Sequence, residues 1–254
     1  MNPSLELQAA LDAAKQAAAI ATSMYRHNIA VRIKADKTPV TEADVRCEAA
    51  IRDILEARFP NYGFFGEETA ARGLDAENLW LVDPIDGTKA FVREYPMFST
   101  QIALMRRGEI VLGVSSAPVY GELAFAERGC GAYLNGKELA VSGISDVQSA
   151  ALSAGNLKTL AAGSQWNRYG SLVARVDRIR GYGDFLHYHL LAAGKIEAVI
   201  ESDVNILDIA ACVAIVSEAG GRITDLDGGP ITLQTRSVLA TNGHLHAPIL
   251  AALR

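Results

Sequence analysis

The sequence predicts an α/β protein in two joined parts: an α+β first half over 1–145, with two helices on a largely antiparallel sheet, and an α/β second half over 146–254. Three observations carry this expectation. Two stretches near the start have apolar residues at helical spacing. From 62 to 136 the pattern turns to short β-type runs separated by Gly-containing turns. From about Ser149 short strands and helices alternate. No Gly-, Pro- or Ser-rich linker lies between the halves, so they are expected to share a core and act as one unit. At 254 residues the chain is long enough to bury that core.

Residues 4 to about 27 are rich in Ala, Leu, Gln and Lys, without Pro or Gly. Leu7, Leu11, Ala14, Ala18 and Ala21 recur at helical spacing, which predicts an amphipathic helix. The stretch 28–39 is polar and basic, with Arg32, Lys34 and Lys37, and reads as a hairpin or loop. A second helix starts at Thr41, with Asp44 three residues on in a capping-box-like pattern, and ends at Phe59-Pro60-Asn61. A short aromatic strand, 62–65, leads into Gly66-Glu67-Glu68-Thr69. Residues 79–82 read as a buried strand, and 99–105 and 109–117 as strands around Arg106-Arg107-Gly108. The runs 123–126 and 131–134 continue the sheet to a hairpin turn at Asn135-Gly136. In the second half, strands are expected at 151–153, 178–180, 197–201 and 222–225. Helices are expected at 170–176, 185–193 and 207–219, the last two stopped by Gly194 and Gly220-Gly221.

Half of the residues are apolar and 21% are charged, a globular composition. The net charge of −5 gives no electrostatic basis for nucleic-acid binding. Cys47, Cys130 and Cys212 lie far apart without a C-x-x-C pair, which points to buried thiols in a reducing compartment. With no apolar run long enough for a membrane span and no signal segment, a soluble cytoplasmic protein is expected. No G-x-S-x-G, Walker A, H-E-x-x-H or dinucleotide pattern appears, and nothing supports a nucleophilic serine or cysteine.

The chemistry concentrates at Asp83-Pro84-Ile85-Asp86-Gly87-Thr88. An apolar run ends in two carboxylates, and a glycine and a hydroxyl follow at once. Pro84 stiffens the backbone as the chain leaves its sheet, and Gly87 permits a tight turn whose N–H groups can face an anion. Carboxylates beside anion-binding N–H groups make sense together once a divalent cation holds both carboxylate and phosphate. Glu67, Asp208 and Asp44 stand at other element ends. Taken singly, Glu67-Glu68 reads equally as a solvated turn, and Asp208 and Asp44 as helix caps, an effect under about 1 kcal/mol at a surface.

Gly66-Glu67-Glu68, Asp83-Pro84-Ile85-Asp86-Gly87-Thr88, Asp208-Ile209-Ala210-Ala211 and Glu218-Ala219-Gly220-Gly221 together resemble the inositol monophosphatase superfamily, in order and over nearly the whole chain. The resemblance implies a layered α/β/α/β/α sandwich, a lithium-sensitive Mg²⁺-dependent phosphatase acting on a small-molecule phosphate monoester, and a homodimer. It implies two to three Mg²⁺ ions: Glu67, Asp83 and the Ile85 carbonyl at the first, Asp83, Asp86 and Asp208 at the second, and Glu67 assisting a third through water. The N–H groups of Gly87 and Thr88 would bind phosphate. The Thr88 hydroxyl, paired with Asp44, would orient and deprotonate the attacking water. Many members carry Trp-Asp at the last ligand, where this chain has Leu207-Asp208, so packing near the substrate is expected to differ.

Arg180-Gly181-Tyr182-Gly183-Asp184-Phe185-Leu186 resembles the histidinol-phosphate phosphatase branch, as do Val114-Ser115-Ser116-Ala117-Pro118 and Ala240-Thr241-Asn242-Gly243. The resemblance implies that Asp184 and Glu201 face the nitrogen-bearing end of L-histidinol phosphate. Asp184 reads equally as the N-cap of the helix from Phe185. An inositol-1-monophosphatase or a broad sugar-phosphate phosphatase is the alternative enzyme, and a non-catalytic metal-dependent phosphate-ligand binding protein the alternative of another class. His187 and His189, two apart on a helix, are not expected to share a face or a metal. His244 and His246 are expected at the surface, and Arg93 as a solvated arginine. Trp166, Tyr169 and Tyr182 read as core aromatics or a substrate wall.

Overall fold

The computed structural model of the protein describes residues 3–27, 31–33 and 39–254. Lys34 and Lys37 lie outside these residues. Helix α1 (Leu5–Met24) is capped by the Ser4 hydroxyl, which accepts the Leu7 N–H at 3.0 Å. Strands β1 (Val31–Ile33) and β2 (Pro39–Thr41) pair antiparallel, so the basic stretch is a hairpin where it is described. Helix α2 (Glu42–Arg58) starts from a full capping box between Thr41 and Asp44.

The larger sheet has seven strands in sequence order: β3 (Gly63–Gly66), β4 (Asn78–Asp86), β5 (Ser99–Arg106), β6 (Glu109–Ala117), β7 (Glu122–Glu127), β8 (Ala132–Leu134) and β9 (Lys137–Glu138). Only the β3–β4 pairing is parallel. A short helix, α3 (Thr88–Val92), follows β4. The smaller sheet has the order β11 (Arg178–Arg180), β10 (Ala151–Ala154), β12 (Ala198–Ser202), β14 (Ser237–Thr241) and β13 (Arg222–Thr224). The second-half helices are α4 (Lys158–Ala162), α5 (Trp166–Val173), α6 (Asp184–Ala192), α7 (Ile206–Glu218) and α8 (His246–Leu253).

Side-chain alternation along the strands sorts these elements into five layers. On β4, Trp80 and Val82 pack with Leu7, Ala10, Ile51 and Leu55 of α1 and α2. Leu79 and Leu81 face the other way, into a cluster with Tyr188 and Leu191 of α6 and Ile209, Ala210 and Ile215 of α7. The same cluster takes Val199, Val238 and Ala240 from the smaller sheet. That sheet's opposite face, with Ala198, Ile200 and Leu239, packs on Leu160, Leu172 and Ile249 of α4, α5 and α8. The order is therefore α1–α2, larger sheet, α6–α7, smaller sheet, α4–α5–α8: an α/β/α/β/α sandwich. Helix α7 packs tightly on β6, where a Cβ at Gly113 would stand 2.8 Å from Ala211 Cα.

Several sequence expectations are corrected. The second-half helix expected at 170–176 is α5, beginning at Trp166. Helices α4 and α8 and strand β14 were not anticipated: α4 is five residues long without a side-chain cap, and Pro248 interrupts the helix signal of α8. His246 is buried (1% exposed) rather than at the surface. Cys130 is half-buried, whereas Cys47 and Cys212 are buried. Arg93 is exposed, and Trp166 is exposed while stacked 5.5 Å from Tyr169. Among the described residues no helix is long and apolar enough to cross a membrane.

Candidate active site

Strand β4 does not end before its acids; it runs through Pro84 to Asp86. Strict alternation would send Asp83 and Asp86, three apart, to opposite faces. The pairing with β5 shifts register between these two residues, and that irregularity lets both carboxylates reach one cleft. Asp83 Oδ1 accepts the Ile85 N–H at 3.0 Å, and the Thr100 hydroxyl holds the Pro84 carbonyl at 2.9 Å. Asp208 comes from the first turn of α7, where Asn205 is the N-cap and its N–H donates to Asp208 Oδ2 at 2.9 Å. One carboxylate oxygen from each of Asp83, Asp86 and Asp208 lies within 4.8 Å of the others.

These acids are mutually uncomfortable without a cation. Burial, then the charges of Glu67, Asp86, Asp208 and Asp44, push Asp83 well above the usual carboxylate range. Burial, then Asp184, Asp208 and Glu201, do the same to Asp86. Burial, with Glu67, Glu201 and Asp184, raises Asp208 to about 6 despite its Asn205 contact. Among the described residues none of the three is ion-paired with a Lys or Arg. Three convergent hard oxygen donors that repel one another are what a divalent cation relieves. Glu67 is half-buried and lines the same cleft, just after β3, without belonging to the 4.8 Å set. The next residue's N–H donates to buried Glu48 at 2.7 Å, which seats this turn.

Gly87 adopts φ 88° between β4 and α3, a conformation that side chains disfavour, and a Cβ there would lie 3.2 Å from Phe98 Cα. This turn sets Thr88 beside α2. The Thr88 hydroxyl lies 3.0 Å from both Asp44 Oδ1 and the Ile85 carbonyl. Asp44 Oδ2 is taken by the N–H of Thr41 at 2.8 Å and its hydroxyl at 2.6 Å. Asp44 thus caps its helix and meets Thr88 at once. Burial raises its proton affinity more than these hydrogen bonds lower it.

The cleft, about 610 Å³, is lined on its other side by Asp184, Glu201, Gly155, Asn156 and Asp203. Asp184 is not an N-cap. Gly183 holds that position, and Asp184 is the first helical residue of α6, with φ 45°. Burial and the Glu201 charge raise its pKa. Behind Asp86 runs a buried file of polar side chains. Ser99 donates to Asp86 Oδ2 at 3.3 Å, and Gln101 Nε2 donates to Ser99 at 2.7 Å and Ser115 at 3.0 Å. His189 then bridges Ser115, at 2.9 Å, and Glu122, at 2.7 Å. His187 and His189 accordingly serve separate carboxylates.

Residues 3–254 match the model of the inositol monophosphatase family. The chain belongs to that family. Membership makes it an enzyme of the phosphatase class, and the family's dependence on metal agrees with the donor set of Asp83, Asp86 and Asp208. Among similar proteins are a histidinol-phosphatase of Mycobacterium tuberculosis, 40% identical with 89% of this chain and 88% of the relative covered, and an inositol-1-monophosphatase of Mesorhizobium japonicum, 35% identical with 89% and 87% covered. The crystal structure of the extragenic suppressor protein suhB from Bartonella henselae superposes with a TM-score of 0.91 at 31% identity, covering 99% of each chain.

The residues assigned in the sequence to metal, phosphate, water activation or substrate line this cleft or, like Asp44, contact a residue that does: Glu67, Asp83, Ile85, Asp86, Gly87, Thr88, Asp184, Glu201 and Asp208. Sequence reading missed Gly155, Asn156 and Asp203, which reach the cleft from loops at strand ends of the smaller sheet. The Gly-Asn pair after a short apolar run was the available signal for the first two.

Proposed function

We propose that this chain is a Mg²⁺-dependent phosphomonoesterase whose substrate is L-histidinol phosphate, cleaved to L-histidinol and phosphate. The observation that carries the substrate is the pair of carboxylates, Asp184 and Glu201, on the wall across from the acidic trio. Phosphate binds near the trio, so the leaving group extends toward this wall. An amine and an imidazole that can be cationic suit two acids, Glu201 buried and Asp184 half-buried, whose charges already repel. Relatives of comparable identity carry both the histidinol-phosphatase and the inositol-1-monophosphatase names, so the choice rests on that wall.

Glu67, Asp83, the Ile85 carbonyl, Asp86 and Asp208 would hold the metal. A divalent ion bound there supplies positive charge that neutralises the phosphate and stabilises negative charge on the attacking and departing oxygens. The N–H groups of Gly87 and Thr88 take phosphate oxygens. Thr88 Oγ1 accepts a proton from the attacking water as it passes its own to Asp44 Oδ1, whose raised proton affinity suits it to receive one. The test is phosphate release with Mg²⁺, with and without EDTA, from histidinol phosphate, inositol 1-phosphate, fructose 1,6-bisphosphate and phosphoadenosine phosphate. A higher kcat/KM for inositol 1-phosphate than for histidinol phosphate overturns the substrate assignment, and metal-independent release overturns the metal.

A further inference from the structure

We propose that His187 is a positioning residue for substrate recognition: with Tyr188 and the bare backbone at Gly155, it locks Glu201 so that one carboxylate oxygen, Oε1, faces the cleft with its charge intact. This deepens, and rests on, the assignment of the Asp184–Glu201 wall to the leaving group.

His187 is fully buried (0% exposed) on α6, one helical turn from Asp184. Its Nε2 lies 3.1 Å from Glu201 Oε2, and the Tyr188 hydroxyl donates to the same oxygen at 2.7 Å. The two aromatic rings meet edge-on with centroids 4.4 Å apart, so neither swings without the other. Oε2 is therefore committed to the interior. Oε1 lies beside Gly155 and Asn156, both cleft-lining, and takes one long N–H contact from Asn156 at 3.3 Å. A carboxylate oxygen with a single long contact retains acceptor capacity for a ligand. At Gly155 a Cβ would collide with the Glu201 carboxylate, its carbon lying 2.5 Å away. Only a residue without a side chain leaves the acid where it is.

The contacts around Glu201 also favour its charged form. Ser153 Oγ accepts the Tyr182 N–H at 3.2 Å and lies 3.2 Å from His187 Nδ1. Nε2 lies within hydrogen-bond reach of Glu201 Oε2, so a ring carrying a proton on Nε2 donates to the carboxylate. Burial alone would push Glu201 upward, but His187, Tyr188 and Asn156 together bring it below the ordinary glutamate value.

The test compares His187→Asn, which keeps a group near Ser153 but loses the donor to Glu201, with His187→Gln, whose amide N–H reaches about as far as Nε2. KM and kcat are measured with Mg²⁺ for histidinol phosphate and for 4-nitrophenyl phosphate, which has no cationic or hydroxyl group for the wall. In His187→Asn, KM for histidinol phosphate rises about 10-fold or more relative to that for 4-nitrophenyl phosphate, as expected for a lost bond to a charged group. The change in kcat is smaller, and His187→Gln restores most of the affinity. Gly155→Ala, which displaces Glu201 without touching His187, gives the same selective rise. Equal losses on both substrates, or no rise in either variant, overturn the proposal. Long-range ¹H–¹⁵N spectra of the wild-type protein supply a readout independent of any variant: a His187 ring without a proton on Nε2 also overturns it. If the wild-type enzyme prefers inositol 1-phosphate, the substrate assignment fails separately. The same variants are then scored on inositol 1-phosphate, whose hydroxyls donate to the same oxygen.

Discussion

Thr88 Oγ1 stands 3.0 Å from Asp44 Oδ1, while the other oxygen of that carboxylate closes the capping box of α2. One acid therefore contributes to helix stability through Oδ2 and to the cleft through Oδ1. The two contributions can be separated by substitution.

Thr88→Val keeps the shape of the side chain and removes the hydroxyl. It is expected to lower kcat about 100-fold or more, in the range for a positioned proton acceptor, with little change in KM. Asp44→Asn should lose comparable activity and also about 1 kcal/mol of stability, because an amide cannot replace both contacts to Thr41. Steady-state kinetics beside urea melts distinguish them. Near-wild-type kcat in Thr88→Val would remove the hydroxyl from the chemistry.

Asp208 is raised from 3.8 to about 6, chiefly by burial. The folded state thus holds this proton more tightly than the unfolded chain does. The stabilisation is fully present below about pH 3.8 and is lost as pH rises through about 6. In EDTA, Asp208→Asn should gain on the wild type steadily across that window. Saturating Mg²⁺ should reverse the order, stabilising the wild type alone. Denaturant midpoints of both proteins at several pH values, with and without metal, give the answer; a difference independent of pH contradicts it.

His246 behaves in the opposite sense. Burial, followed by the Arg222 charge, lowers it from 6.5 to about 4, and its ring nitrogens contact Thr224 at 3.1 Å and Thr241 at 3.2 Å. Its contribution is present above about pH 6.5 and is lost as pH falls through about 4. The stability difference between wild type and His246→Gln should shrink over that range. A constant difference in urea midpoint would show that the ring does not titrate with unfolding.

Gly113→Ala places a methyl group against the backbone of α7 at Ala211. Overpacking of this kind costs about 1–3 kcal/mol, and the cost here falls at the junction of β6 and α7. A lowered thermal midpoint together with weaker Mg²⁺ binding, read by calorimetry, is expected, because α7 carries Asp208. Unchanged stability would mean that the layers slide freely.

The parts of the site legible in the sequence were those written locally. Asp83 to Thr88 are contiguous, and Asp44 and Asp208 each announce a helix start three residues after a capping residue, Thr41 and Asn205. The five-layer order came from family resemblance, since the strand pattern alone does not say which helix covers which sheet. What stayed hidden depends on contacts between distant positions. His187 looks like any polar residue in an apolar helix until Glu201, fourteen residues on, is folded against it. The same holds for His189, whose partners are Ser115 and Glu122 on β6 and β7. Asp184 shows the converse: capping rules suggested an ordinary helix start, whereas it stands inside α6 with a positive φ and lines the cleft.

The trio of Asp83, Asp86 and Asp208 joins the end of a strand in one layer to the first turn of a helix in the next. Any ion seated there works as a rivet as well as a reagent. Pulling it out frees the acids to push the layers apart, so turnover reports how well those layers are closed. A partly loosened molecule would keep its far-ultraviolet dichroism and lose its turnover first.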